Sequence, residues 1–200
     1  MGFDDEDLFE TWIEEGEEIH NYRYRGDPFN PENLKAVLDC GEAKIICSGA
    51  FYGCSNLEWI EIPDTLVEIQ ADAFCFCDSL TYMQLNNVRI IGDNAFSYCD
   101  SLKEVDFGYN AQLEKLGDAV FKKCIGLNDI TLPASLKQIG GFVFEGCGEK
   151  KRHFQLKYEG SKSSFRKIKL DKNWNSGSTI EKICCVDGDL YVRKPRKEYL

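Results

Sequence analysis

The sequence predicts a repeat solenoid, mainly β with short helical and turn elements, wound as a right-handed coil on a parallel sheet. Three observations predict it. One five-residue phrase returns five times at nearly fixed spacing. Four of its copies lead, through a leucine, into a short alternating apolar segment. A second apolar element and a turn, often holding glycine, then close each unit. A period between about 20 and 50 residues marks stacked units that share one core.

The N-terminal segment, residues 1–44, reads as an acidic helical cap. Leu8, Phe9, Trp12 and Ile13 fall on one face of a short helix, and acids from Asp4 to Glu18 crowd the other. Asp27-Pro28-Phe29-Asn30-Pro31 breaks the chain before a second short helix expected near Glu32–Val37. Such a cap is needed because an open solenoid must cover the ends of its core.

The repeats occupy residues 45–148, as four full units and a partial fifth. The phrases are Ala50-Phe51-Tyr52-Gly53-Cys54, Ala73-Phe74-Cys75-Phe76-Cys77, Ala95-Phe96-Ser97-Tyr98-Cys99, Val120-Phe121-Lys122-Lys123-Cys124 and Val143-Phe144-Glu145-Gly146-Cys147. Their cysteines are 23, 22, 25 and 23 residues apart. A thiol at one place in every coil is a small buried hydrophobe, not half of a disulfide. Leu57, Leu80, Leu102 and Leu127 then open alternating runs such as Leu57-x-x-Ile60-x-Ile62 and Leu127-x-x-Ile130-x-Leu132. Period-two alternation places one face of each run in the core and the other outside. A single coil cannot bury its own apolar side, so stacking must set Phe on Phe and Cys on Cys. Gly108-Tyr109-Asn110-Ala111-Gln112 lengthens one connection after the strand, where a solenoid tolerates insertion.

Residues 149–200 read as a basic C-terminal α+β cap. Phe154–Tyr158 alternates like one more strand, Ser164–Ile168 reads as a helical turn, and Ile180–Tyr191 as a hairpin turning at Asp187-Gly188.

The phrases Ile-Pro-x-x-Leu-x-x-Ile and Ala-Phe-x-x-Cys-x-x-Leu resemble the BspA-like, or Treponema pallidum-type, leucine-rich repeats. The segments Tyr158-x-Gly160, Asn173-Trp174-Asn175 and Cys185-x-Asp187-Gly188 resemble the cap that often follows them. The resemblance implies a leucine-rich-repeat coil in a family of mostly surface or secreted adhesion and interaction proteins.

Charge is uneven along the 200 residues. The first segment holds 13 acids and 4 bases, the repeats 14 and 6, and the last segment 7 and 14, for a net charge of −10. No apolar run approaches the roughly 20 residues that span a bilayer. The acidic start, Met1 to Asp7, is unlike a signal peptide, so the expected location is cytoplasmic.

Nothing in the motifs points to catalysis. The two histidines, His20 and His153, lie far apart, and no phosphate loop, zinc-protease pair or nucleophile elbow occurs. Cys75-x-Cys77 and Cys184-Cys185 lack the spacing of zinc knuckles. No enzyme, cofactor, metal or small-molecule substrate is therefore expected. The aromatics of the repeat could be pictured as a platform for bases, but their registered recurrence assigns them to the core.

Function should then fall on the outward strand positions: Trp59 and Glu61, Tyr82 and Gln84, Glu104 and Asp106, Asp129 and Thr131. Aromatics anchor interfaces and acids steer a basic partner. The leading expectation is a non-catalytic module that binds a protein with a basic surface. A second is a small phage- or mobile-element-encoded inhibitor that blocks the basic nucleic-acid channel of a host enzyme such as a CRISPR nuclease. A third is a surface adhesin-type repeat fragment. Direct nucleic-acid binding by the basic tail is disfavoured, because the acidic body repels phosphate.

Overall fold

The computed structural model describes residues 18–19, 36–37, 42–148 and 154–192. The expected cap helix over Leu8–Ile13 lies outside them.

Two strand positions recur in every coil and build two faces around one core. The first is the second apolar element of each repeat. It gives β1 (Glu18–Ile19), β3 (Ile45–Ile46), β5 (Glu68–Ile69), β7 (Ile90–Ile91), β9 (Lys115–Leu116), β11 (Gln138–Ile139) and β13 (Lys169–Leu170). These pair in parallel, in that order, as one seven-stranded sheet. The second position is the alternating run after each leucine. It gives β2 (Ala36–Val37), β4 (Trp59–Ile60), β6 (Tyr82–Gln84), β8 (Glu104–Asp106), β10 (Asp129–Leu132), β12 (Gln155–Tyr158) and β14 (Lys182–Cys185), with β15 (Gly188–Tyr191) antiparallel to β14.

The continuous sheet is thus not the one built from the longer alternating runs. Those strands divide into three ladders, β2-β4, β6-β8 and β10-β12-β14-β15. The break between β8 and β10 sits at the longest interval, where the connection through Gly108 and Asn110 turns twice through left-handed backbone. On the other face β9 and β11 stay paired across the same interval.

Ala36–Val37, expected in a short helix, is a strand that pairs with Trp59–Ile60. Its backbone extends the ladder of the following coil, a contact that local helical preference does not anticipate. Towards the other end, Lys162–Phe165 forms α1, capped by the Ser161 hydroxyl, which accepts from Ser164 N–H. The hairpin turns at Val186–Asp187, one residue before the expected place, since Cys185 pairs directly with Gly188.

The core is a set of ladders running along the stack. Phe51, Phe74, Phe96, Phe121 and Phe144 are buried and stack nearly parallel, with centroids 5.0, 5.2, 5.7 and 6.1 Å apart. Offset stacking at this separation is favourable beyond the burial itself. Cys54, Cys77, Cys99, Cys124 and Cys147 are buried as free thiols. They do more than fill space. Cys77, Cys99, Cys124 and Cys147 each donate the thiol proton to a phenylalanine carbonyl in the preceding coil, at 3.2, 3.1, 3.0 and 2.8 Å. A small side chain with one weak donor suits that buried place. Burial pushes the Cys54 thiol up to about 12 and those of Cys77, Cys99 and Cys124 well above the ordinary value, so they stay protonated.

Glycine sits where coils touch. A Cβ on Gly140 would lie 2.4 Å from the Gly117 carbonyl oxygen, and one on Gly117 would lie 2.7 Å from Asp93 N. Asp93 and Asp118 staple the same corner, each carboxylate accepting a backbone N–H of the next coil, from Asp118 and Gly141.

Candidate functional site

The alternation of each long strand decides which side chains remain for a partner. Ile60, Met83, Val105, Ile130 and Leu132 turn inward and are at most 7% exposed. Trp59, Glu61, Tyr82, Gln84, Glu104, Asp106, Asp129 and Thr131 all turn outward and are exposed. Within β6-β8 they are in register, Tyr82 beside Glu104 and Gln84 beside Asp106. Trp59 keeps 44% of its surface in solvent, more than Tyr82 at 38%.

The outward residues are not equivalent. Glu104, Asp106, Asp129 and Thr131 surround a cleft of about 270 Å³ that opens where β8 and β10 part. Phe107, Pro133, Glu159 and the base Lys103 also line it. Trp59 and Glu61 lie outside this cleft, two coils nearer the N-terminus. Tyr82 lies close enough to feel the cleft's acids. Burial first, then Asp106 and Glu104, hold its phenol above the ordinary value.

Two of the acids have prior commitments. Asp106 accepts the Gly108 N–H at 2.8 Å, which holds the turn after β8. Asp129 lies 3.5 Å from Lys157 Nζ. Lys157 and Glu159, from the following coil, were not among the predicted site residues. The signal for Lys157 was present, because Gln155 and Lys157 are the outward positions of the alternating run Phe154–Tyr158. Parallel pairing sets Asp129 against Gln155 and Thr131 against Lys157. The acidic stripe therefore ends at a base.

Among the described residues, no group of three or more His, Cys, Asp or Glu is placed to share a metal ion. No helix among them is long and apolar enough to cross a membrane. The ten repeat-core positions, from Phe51 to Cys147, are at most 4% exposed, so none of those rings can meet a base. What the surface offers is shape, charge and aromatic contact.

Comparison with known proteins agrees with this architecture. The family model for the BspA type leucine rich repeat region matches residues 27–151 in six copies. No curated protein is matched by sequence. Among solved structures, the Treponema pallidum leucine-rich repeat protein is 26% identical, with a TM-score of 0.51 over 72% of each chain. A leucine-rich repeat protein from Eubacterium ventriosum is 14% identical, with a TM-score of 0.60 over 87% of this chain and 50% of that one. The pneumococcal vaccine antigen PcpA is 21% identical, with a TM-score of 0.52 over 73% of this chain. The present chain spans about a third of that antigen, 32%. Six registered repeat copies over more than half of the sequence make the chain a member of the BspA-type leucine-rich repeat family, typically protein-binding or surface-associated.

Proposed function

We propose that the protein is a non-catalytic interaction module whose outward strand face binds a partner protein with a basic surface. One observation carries this reading. The eight outward side chains of four successive coils are all exposed while their alternates fill the core. Among the described residues only Gln84, Asp106 and Asp129 of the eight have a side chain held by a hydrogen bond or ion pair. The stripe's N-terminal end offers two aromatic side chains, which supply rigid contact area. Its middle offers Glu104 and Asp106 beside a cleft large enough to admit a side chain. Acids so exposed steer a basic partner and fix its register more than they add affinity.

The test is affinity capture from the native cell lysate with wild type and with Trp59→Ala/Glu104→Lys/Asp129→Lys. A partner captured by wild type and lost by the folded variant supports the strand face. A partner kept by the variant contradicts it.

A second reading, a blocker of a basic nucleic-acid channel, is favoured by the acidic residues lining the cleft. The two differ in salt response. A channel blocker would release its target steeply as salt rises and in competition with a polyanion, as phosphate contacts do. A mixed aromatic and acidic interface would respond more weakly.

A further inference from the structure

A second aromatic ladder runs outside the first. The residue two places beyond the core phenylalanine has left-handed backbone in all five coils: Gly53, Phe76, Tyr98, Lys123 and Gly146. Glycine, at the first and last of these, takes this conformation without steric cost. A bulky side chain does not, and for one a positive φ is a genuine outlier. Phe76 and Tyr98 nevertheless occupy it, with φ of 63° and 61°. Their rings stack at 4.8 Å and 15°, and Tyr52 meets Phe76 edgewise at 5.6 Å. All three stay exposed, so burial does not account for aromatic side chains at strained positions.

Each of the two strained rings stands two residues before a carboxylate, in Phe76-Cys77-Asp78 and Tyr98-Cys99-Asp100. The other coils put Ser55, Ile125 or Gly148 at that place. Asp78 and Asp100 are exposed and close enough for Asp100 to help hold the Asp78 carboxyl above its ordinary value, after burial. Neither has an ion-pair partner among the described residues. Lys123 takes the ring position in the next coil, and Lys122, engaged with Glu145 at 2.9 Å, closes that side.

We propose that this patch, in the turns that lead from the seven-stranded sheet to the alternating strands, docks a basic amphipathic helix of a partner protein. The rings receive its apolar side chains, and Asp78 and Asp100 receive an adjacent arginine or lysine. Three features select that occupant. Two neighbouring carboxylates without an ion-pair partner among the described residues call for a cation. The faces of Phe76 and Tyr98 are turned on each other, so flat stacking of a base or sugar is obstructed, while their edges accept apolar groups. The 4.8 Å step between ring centroids is also close to the roughly 5–6 Å between Cβ atoms of helix neighbours three or four residues apart, so two side chains of one helical face can each meet a ring edge. This inference stands independently of the strand-face reading.

The experiment uses the full chain and a displayed library of amphipathic helices. Their apolar face is varied, and the flanking positions carry arginine, glutamine or glutamate. Binding is then measured by anisotropy for selected peptides against wild type, Phe76→Gly/Tyr98→Gly and Asp78→Asn/Asp100→Asn. Glycine suits the backbone at both ring positions, so folding is retained, and a thermal melt verifies it. The expected result is selection of arginine-flanked helices that lose about tenfold or more in affinity, roughly 1.4 kcal/mol or more, in either double variant. The proposal is overturned if no helix is selected, if glutamate-flanked helices bind equally, or if affinity survives both double variants. It is also overturned if an oligosaccharide or single-stranded DNA binds the patch in a ring-dependent way.

Discussion

Two aromatic ladders run side by side through this molecule, and they share stacked rings at similar spacing but differ in burial and backbone. The inner one, Phe51 to Phe144, passes through five coils with rings at most 1% exposed. The outer one, Tyr52, Phe76 and Tyr98, covers three coils, remains exposed, and at two of its places uses backbone that glycine fills elsewhere. Stacking alone therefore does not define the core of a solenoid. Continuity, burial and relaxed backbone do, and a ladder that falls short in each is expected to add little net stability.

The largest effect should come from breaking the inner ladder. Phe96→Ala removes a ring held between Phe74 and Phe121 and leaves a cavity in a close-packed stack. A loss of about 3–5 kcal/mol is expected in chemical denaturation. A midpoint shift too small to resolve would remove Phe96 from the core. Next comes the contact between coils: Gly140→Ala drives a methyl against the Gly117 carbonyl, which cannot yield without moving backbone. Overpacking of that kind costs about 1–3 kcal/mol, readable from the same denaturation curves.

The thiol ladder sharpens the comparison through pH. Its members are held protonated by burial, with Cys54 pushed up to about 12, and Cys75, a buried thiol outside the ladder, is pushed up to about 11. A folded-state value raised above the unfolded one contributes stability that is complete below the ordinary thiol value of 9.0. That stability is lost as pH climbs towards the folded values. Thermal melts under reducing conditions should keep their midpoint from neutrality to that point and fall beyond it. A midpoint that declines well below it would contradict buried, protonated thiols.

The smallest effect belongs to the exposed ion ladder on the seven-stranded sheet. Glu114 accepts from Lys137 and Arg89, and these bonds hold its carboxyl down to about 2. Its contribution is present above the ordinary value of 4.5 and is lost as pH falls through about 2. Because the pairs are exposed, Glu114→Gln should shift the melting midpoint slightly, and not at all in high salt.

Much of this was legible in the sequence. The registered phrases identified the inner Phe and Cys ladders, and alternation sorted Trp59, Tyr82, Glu104 and Asp129 to the outside. Three things were not legible, each for a physical reason. Alternation marks which strands are half-buried but not which coils lie close enough to pair, so the two-residue strands at Ile69, Ile91 and Leu116 were underrated. Apolar pattern also says nothing of a thiol's hydrogen bond, which depends on where the neighbouring coil's carbonyl falls. The outer ladder hid behind its own residue types. A column reading Gly53, Phe76, Tyr98, Lys123, Gly146 signals left-handed backbone only when glycine at its ends is weighed above the aromatics within it.

The most direct test of the contrast between the ladders is equilibrium denaturation of Phe76→Gly/Tyr98→Gly beside wild type. Removing two exposed rings from positions that favour glycine should change stability by no more than about 1 kcal/mol, because the relief of strained backbone offsets the lost contacts. A loss approaching that of Phe96→Ala would contradict the account and make the outer ladder part of the core.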